Sequence, residues 1–280
     1  MAKYDLIRSQ LLYEGIVSAG NFFQPKLVAA DDILLAHREE YVRALLDLSL
    51  DARMVRRIGF PLSKSLVDRE RYILDGTIQA SLYALEHGVA FNIAGGTHHA
   101  GSNFGEGFCL LNDQAVAAAY LLDRKLANRI LIVDLDVHQG NGTADIFAKE
   151  PRVFTLSIHG DKNFPFIKER SDFDIPLPDG IGDDEYLGLL EENLLRMFKD
   201  FKPDFVFYQS GVDILATDKL GKLNMTPWGC RRRDELVLTA CAQQRIPVQI
   251  SMGGGYSEHL RDIVNAHVNT YKVAIDVFEL

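Results

Sequence analysis

Apolar positions along the chain fall into two periods, one helical and one short and continuous. Residues 3–17 place Leu6, Ile7, Leu11 and Leu12 near helical spacing, and residues 31–50 read as a second helix opened by an Asp pair suited to an N-cap. His37 inside that helix reads as a packing residue. Residues 68–86 form a long amphipathic helix closed by Gly88, with Tyr72, Tyr83 and Leu85 expected in the core. An Ala-rich helix capped by Asn112 or Asp113 runs to about residue 127, and further helices are predicted over 183–199, 226–243 and 258–271. Between them lie short apolar runs at 89–94, 130–133, 153–158, 205–208 and 248–252, which read as buried strands. Residues 21–28 and 53–64 read as loop-like, and 160–182 as a long irregular segment. Strands alternating with helices predict an α/β fold: a single domain over residues 1–280, with a mostly parallel central sheet and helices on both faces.

The run Ile130-Leu131-Ile132-Val133 gives way to Asp134, Asp136 and His138 at every second position. Side chains two apart share a face of an extended strand. A strand running into a polar loop explains one such residue, but three ionisable groups in alternation need a partner, because buried charges are paired or bind metal.

Composition narrows the function. Thirty Lys and Arg against 39 Asp and Glu give a formal charge of −9, with no basic stripe for a nucleic-acid backbone. The one basic run, Arg231-Arg232-Arg233, reads as a solvated helix face. Cys109, Cys230 and Cys241 form no CxxC pair, which suits a reducing cytoplasm and argues against a disulfide scaffold or a Cys-rich zinc site. Residues 1–5 open a charged helix rather than a signal peptide, and no run approaches the ~20 apolar residues of a membrane span.

Ligands of open α/β sheets bind outside the carboxyl ends of the strands. Four strands here end in His98-His99, in Asp136 and His138, in Asp213, and in Gly253-Gly254-Gly255-Tyr256. Each alone is weak, since an Asp after a strand is most often a turn residue and a Tyr after glycines a packing residue. Together they offer metal ligands, proton-transfer groups and an oxyanion donor. Asp136, His138 and Asp213, two carboxylates and an imidazole, suit a catalytic Zn²⁺, and tolerate Fe²⁺ or Mn²⁺. One of His98 and His99 can move the proton of an attacking water, and Tyr256 can donate to a developing oxyanion.

At these residues the chain resembles the zinc-dependent histone deacetylases, within the arginase-like fold, over about residues 1–271. The resemblance is carried by Gly95-Gly96-Thr97-His98-His99, Gly105-Glu106-Gly107-Phe108-Cys109, Asp134 to Gly142, Gly211-Val212-Asp213 and Gly254-Gly255-Tyr256. His138-Gln139-Gly140-Asn141-Gly142, Ser157-Ile158-His159-Gly160 and Lys168 to Asp172 look most like the class IV branch and its bacterial relatives. The resemblance implies that Asp136, His138 and Asp213 hold zinc. It further implies that His99 is the general base and acid, that His98 supports the transition state, and that Tyr256 polarises the scissile carbonyl. Asp134 would orient His98. Gly107 and Phe108 match the walls of an acyl-lysine channel, with Phe164 or Phe166 as another wall. A structural K⁺ or Na⁺ is implied near Asp134, Asp136, His138, Ser157 and Ile158.

Two departures stand out. Asn141 replaces an Asp found in many relatives, so an amide rather than a carboxylate faces His99. A segment that usually precedes the stretch matching residues 1–4, with an arginine of an internal channel behind the zinc, is expected to be missing, which would leave another group to close the site or compromise activity. The substrate class implied is an acylated lysine in a peptide or protein. The alternatives are a small acylated amine such as an acetylpolyamine, a binuclear manganese ureohydrolase, and a binding or regulatory module without activity. The ureohydrolase normally needs Asp-x-His-x-Asp, and Gly140 follows His138 by two.

Overall fold

In a computed structural model, which describes residues 2–280, six strands form one sheet. They are β1 (Val89–Asn92), β2 (Ile130–Asp134), β3 (Val153–Gly160), β4 (Phe173–Leu177), β5 (Phe205–Gln209) and β6 (Val248–Ser251). Their order is β1-β6-β5-β2-β3-β4, with every ladder parallel. Parallel strands need crossover connections, which here bring helices onto both faces.

The alternation within β2 shows how the layers divide. Leu131 and Val133 enter one core, with Val206 and Tyr208 of β5 and the buried faces of α8 (Asp183–Phe201), α9 (Pro227–Gln244) and α10 (Leu260–Phe278). Ile130 and Ile132 enter the other, with Phe205, Phe207, α3 (Glu39–Leu46), α5 (Lys64–His87) and α6 (Asp113–Asp123). A third cluster joins Ile7 and Leu11 of α1 (Ala2–Tyr13) to Val264, Val268 and Tyr271. The chain winds outward from β2 through β3 to β4 in one direction, and β5 and β6 lie on the other side. The crevice between the carboxyl ends of β2 and β5 is therefore a topological switch point.

Several sequence expectations change. The helix expected over 31–50 is broken into α2 (Ala30–Ile33) and α3, because the backbone between them is drawn onto a neighbouring loop. There Arg38 N donates to Ser102 O at 2.7 Å, and His37 bridges Gly101 O and Asn112 N at 2.9 and 3.0 Å. The loop-like stretch 53–64 holds α4 (Ala52–Ile58), capped by Asp51 and stopped by Gly59 in a left-handed conformation. Tyr72, Tyr83 and Leu85 are exposed on α5; its buried stripe is Val67, Leu74, Ile78 and Ala84. The irregular segment 160–182 contains β4, whose Asp174 and Pro176 break the apolar pattern, as an edge strand tolerates. Asn112 is the cap of α6, which ends at Asp123. Arg233 is not on a solvated face: it is fully buried.

Candidate active site at the strand ends

Each functional side chain follows a strand or a strand-end loop. Asp134 is the last residue of β2, and Asp136 and His138 follow it in the crevice; Asp213 lies four residues past the end of β5. One ligand atom each from Asp136, His138 and Asp213 lies within 4.8 Å of the others. Asp136 Oδ1 accepts from His138 N at 3.0 Å and lies 3.1 Å from His138 Nδ1; Asp136 Oδ2 accepts from Gly254 N at 2.8 Å. Asp213 Oδ1 accepts from Val137 N at 2.9 Å. Asp213 Oδ2, fully buried and 3.3 Å from His138 Nδ1, has no hydrogen-bond partner. An unpartnered buried carboxylate oxygen aimed at two further donors is the signature of a cation site, and these three residues fit a divalent ion. The approach is close enough that a Cβ on Gly254 would stand 1.9 Å from Asp213 Oδ2.

The charges of the cluster depend on one another. Burial and the neighbouring Asp136 push the Asp213 carboxyl up, while His98 and His138 outweigh burial and hold Asp136 well below the usual carboxylate range.

The two histidines after β1 differ in their surroundings. His98 Nδ1 lies 2.7 Å from Asp134 Oδ2. Burial works against its charged form, but Asp134 and then Asp136 override it and hold His98 up at about 9. His99 Nδ1 lies 2.7 Å from Asn141 Oδ1, where α7 (Asn141–Phe147) begins. Burial, followed by the positive neighbours His98 and His138, drives His99 well below the ordinary range. One imidazole is thus held by a carboxylate and its neighbour by an amide, with ring centroids 4.1 Å apart.

Tyr256 is 41% exposed, its backbone N–H held by Asp218 at 2.6 Å. Burial and the Asp136 and Asp213 carboxylates raise its phenol, so it remains a proton donor. The Phe164 ring meets the His99 ring edge-on at 5.0 Å. Gly107, at φ 54°, packs so tightly that a Cβ would come within 2.8 Å of His99 and 2.9 Å of Phe164. Phe108 is half-exposed against Phe60, and Phe166 lies outermost, 86% exposed. Ser157 sits across from Asp134 in the β2–β3 register, and its neighbour Ile158 is buried.

Residues 1–271 match the model of the histone deacetylase domain. The chain belongs to the histone deacetylase family. It is 46% identical over 278 residues to an uncharacterized protein of Picosynechococcus sp., an alignment covering 99% of this chain and 93% of that one. It is 31% identical to histone deacetylase 2 of Arabidopsis thaliana over 264 residues, covering 91% of this chain and 68% of the relative. Histone deacetylase 8 of Xenopus tropicalis is 30% identical over 295 residues, covering 98% and 77%. Among solved structures, the histone deacetylase homologue of Aquifex aeolicus shares the fold at a TM-score of 0.82 and 24% identity, over 98% of this chain and 81% of that one. A histone deacetylase homologue complexed with SAHA also superposes at 0.82, with 25% identity and the same coverage. As a deacetylase-family hydrolase, this protein carries its candidate metal triad at the switch point of the family fold.

Three residues in or behind the candidate site escape a reading from the sequence. Lys3 of α1 donates to Gly253 O at 3.0 Å and lies 5.6 Å from the Tyr256 ring centroid. Nothing in a first-helix lysine foretells that position. Arg233 donates to Gly211 O, to Ser210 O and Leu135 O at 3.3 Å each, and to Asp234, so it anchors the ends of β2 and β5 from behind. Its signal was present: Cys230, Arg233, Asp234, Val237, Leu238 and Cys241 repeat at helical spacing and form the buried face of α9. Glu106, inside one of the glycine-rich motifs, accepts from Asn141 Nδ2 at 2.9 Å.

Proposed function

We propose that the chain is a single catalytic domain that removes acyl groups from the ε-amine of lysine, using zinc at Asp136, His138 and Asp213. The observation that carries this reading is a three-donor cluster with an unpartnered carboxylate oxygen, set beside two buried imidazoles of which one is held by Asp134 and the other by Asn141. A divalent cation held there supplies Lewis acidity, bringing the pKa of water to about 7 and polarising a carbonyl oxygen. His99, neutral and with Nδ1 turned to Asn141, presents Nε2 as the base that takes a proton from water and later returns it to the leaving amine. His98, kept charged by Asp134, stabilises the negative charge that develops beside it. Tyr256 donates its hydroxyl proton to the oxyanion.

Phe164, Gly107 and Phe108 form a slot for the aliphatic stem of lysine, and Phe166 a rim outside it. On the same reading a structural K⁺ or Na⁺ is expected near Asp134, Asp136, His138, Ser157 and Ile158, as the family resemblance implies. With Gly140 where a second-ion carboxylate would stand, one ion suffices. Its three free, buried cysteines suit the cytoplasm, and among the described residues no helix is long and apolar enough to cross a membrane.

Zinc-loaded protein assayed in parallel on acetyl-lysine peptides, longer acyl-lysine peptides and an N-acetylpolyamine tests the reading. Carboxylate release from acyl-lysine peptides is the expected result. Faster turnover of the polyamine replaces the substrate class, and turnover of neither leaves a binding module.

A further inference from the structure

We infer that Glu106 is a positioning residue that fixes the orientation of the Asn141 amide and, through it, the tautomer of His99. This rests on the reading of His99 as the proton-transfer group.

Glu106 belongs to a tight turn in which Glu106 N donates to Cys109 O at 3.0 Å and Cys109 N to Glu106 O at 2.9 Å. Gly107 and Phe108 inside it both have positive φ, at 54° and 70°. The turn is tied to the end of α4, where Phe108 N donates to Ile58 O at 2.8 Å and Gly107 N to Arg57 O at 3.3 Å. The Glu106 side chain is mostly buried and ion-paired with Arg57, whose Nε reaches Oε1 at 2.8 Å and whose Nη2 reaches Oε2 at 3.1 Å. Arg57 is itself held over the Phe104 ring at 4.1 Å. This fork leaves Oε2 open to one more donor, which is Asn141 Nδ2 at 2.9 Å.

A carboxylate only accepts hydrogen bonds, so the amide must turn its NH₂ to Glu106. The reversed amide would set two oxygens against each other at that distance. With NH₂ so committed, Asn141 Oδ1 faces His99 Nδ1, and an oxygen there requires the proton on Nδ1. Nε2 is then bare and able to act as a base. An amide between two partners could face either way; the ion-paired Glu106 decides which. It also explains why an amide rather than a carboxylate stands at 141: an aspartate there would meet Glu106 oxygen to oxygen, and two carboxylates in contact cannot both ionise.

The test uses the whole 280-residue chain loaded with zinc and ¹⁵N-labelled at histidine, His99 being assigned by its loss in H99A. Long-range ¹H–¹⁵N correlation reads the tautomer without turnover, and kcat and KM are measured on an acetyl-lysine peptide. Wild type is expected to show protonated Nδ1 and bare Nε2 at His99. Glu106→Gln, which lets either end of the amide face it, is expected to give mixed tautomers and roughly a tenfold or greater fall in kcat with little change in KM. Asn141→Asp is expected to fall further, and the double variant E106Q/N141D to recover at least about tenfold over it, a rescue that a merely structural role does not give. An unchanged tautomer in Glu106→Gln, or a double variant no better than Asn141→Asp, overturns the proposal. A tautomer that shifts in a protein inactive on every acyl-lysine upholds the positioning role and overturns the function instead.

Discussion

Replacing Arg233 by methionine is expected to loosen the strand ends that carry the site. The buried guanidinium donates to the carbonyls of Leu135, Ser210 and Gly211 and, through Nε and Nη2, to Asp234 Oδ1 at 3.0 and 2.8 Å. Methionine fills much of the stem's space but donates nothing. Removing one partner of a buried ion pair costs about 3–5 kcal/mol, and each stranded carbonyl adds ~1 kcal/mol. Asp234 keeps Tyr208 Oη and Thr270 Oγ1 as donors, and the thioether buries apolar surface, so part of this is offset. The net expectation is about 4 kcal/mol, or roughly 8–16 °C in Tm. Urea denaturation of the metal-free protein, followed by circular dichroism, reads this as a lower midpoint at unchanged slope. R233M/D234N, which removes both charges, is expected to be at least ~1 kcal/mol more stable than Arg233→Met. A loss below about 1 kcal/mol for Arg233→Met would refute the anchoring role.

Asp213→Ala is expected to abolish stoichiometric zinc uptake, read by elemental analysis of dialysed protein, with the fold retained by circular dichroism. Tyr256→Phe is expected to keep full zinc content while kcat falls ~10²–10³-fold, the cost of one oxyanion donor. Chelation of zinc is expected to lower Tm, since the ion binds only the folded arrangement, and readdition to restore it in a calorimetric scan. Burial holds His37 down at about 4 against 6.5 in the open chain. The unfolded state therefore takes up the proton first, and stability is lost as pH falls from about 6.5 to 4, by up to roughly 3 kcal/mol. In His37→Gln this share of the acid-side slope should vanish from pH-dependent denaturation curves, whatever the variant's stability at neutral pH.

The alternation of β2 made the centre of the fold legible. Apolar residues point to two cores, and the same period carries on into Asp134, Asp136 and His138. The sheet, its parallel sense and the helices on both faces followed from strands alternating with helices. What escaped was decided by contacts remote in sequence. The break between α2 and α3 depends on Ser102, Gly101 and Asn112, which no local pattern of residues 31–50 contains. Strand β4 is held by its pairing with β3 in spite of Asp174 and Pro176. Arg233 looked solvated because it stands in a run of three arginines, of which Arg231 and Arg232 do face outward to Asp276 and Glu235. On α5 the aromatic content at Tyr72 and Tyr83 misled, and the smaller residues at helical spacing were the core. The convergence of Asp213 on Asp136 and His138 was expected from strand ends alone, but the Lys3 and Glu106 contacts required the folded chain.

The central claim, that one divalent ion at Asp136, His138 and Asp213 supports amide hydrolysis, is tested most directly by titrating zinc into the metal-free protein while measuring carboxylate release from an acetyl-lysine peptide. The account predicts a linear rise to a plateau at about one equivalent of zinc, absent in Asp213→Ala. Turnover independent of zinc, or a plateau reached only at about two equivalents, would contradict it.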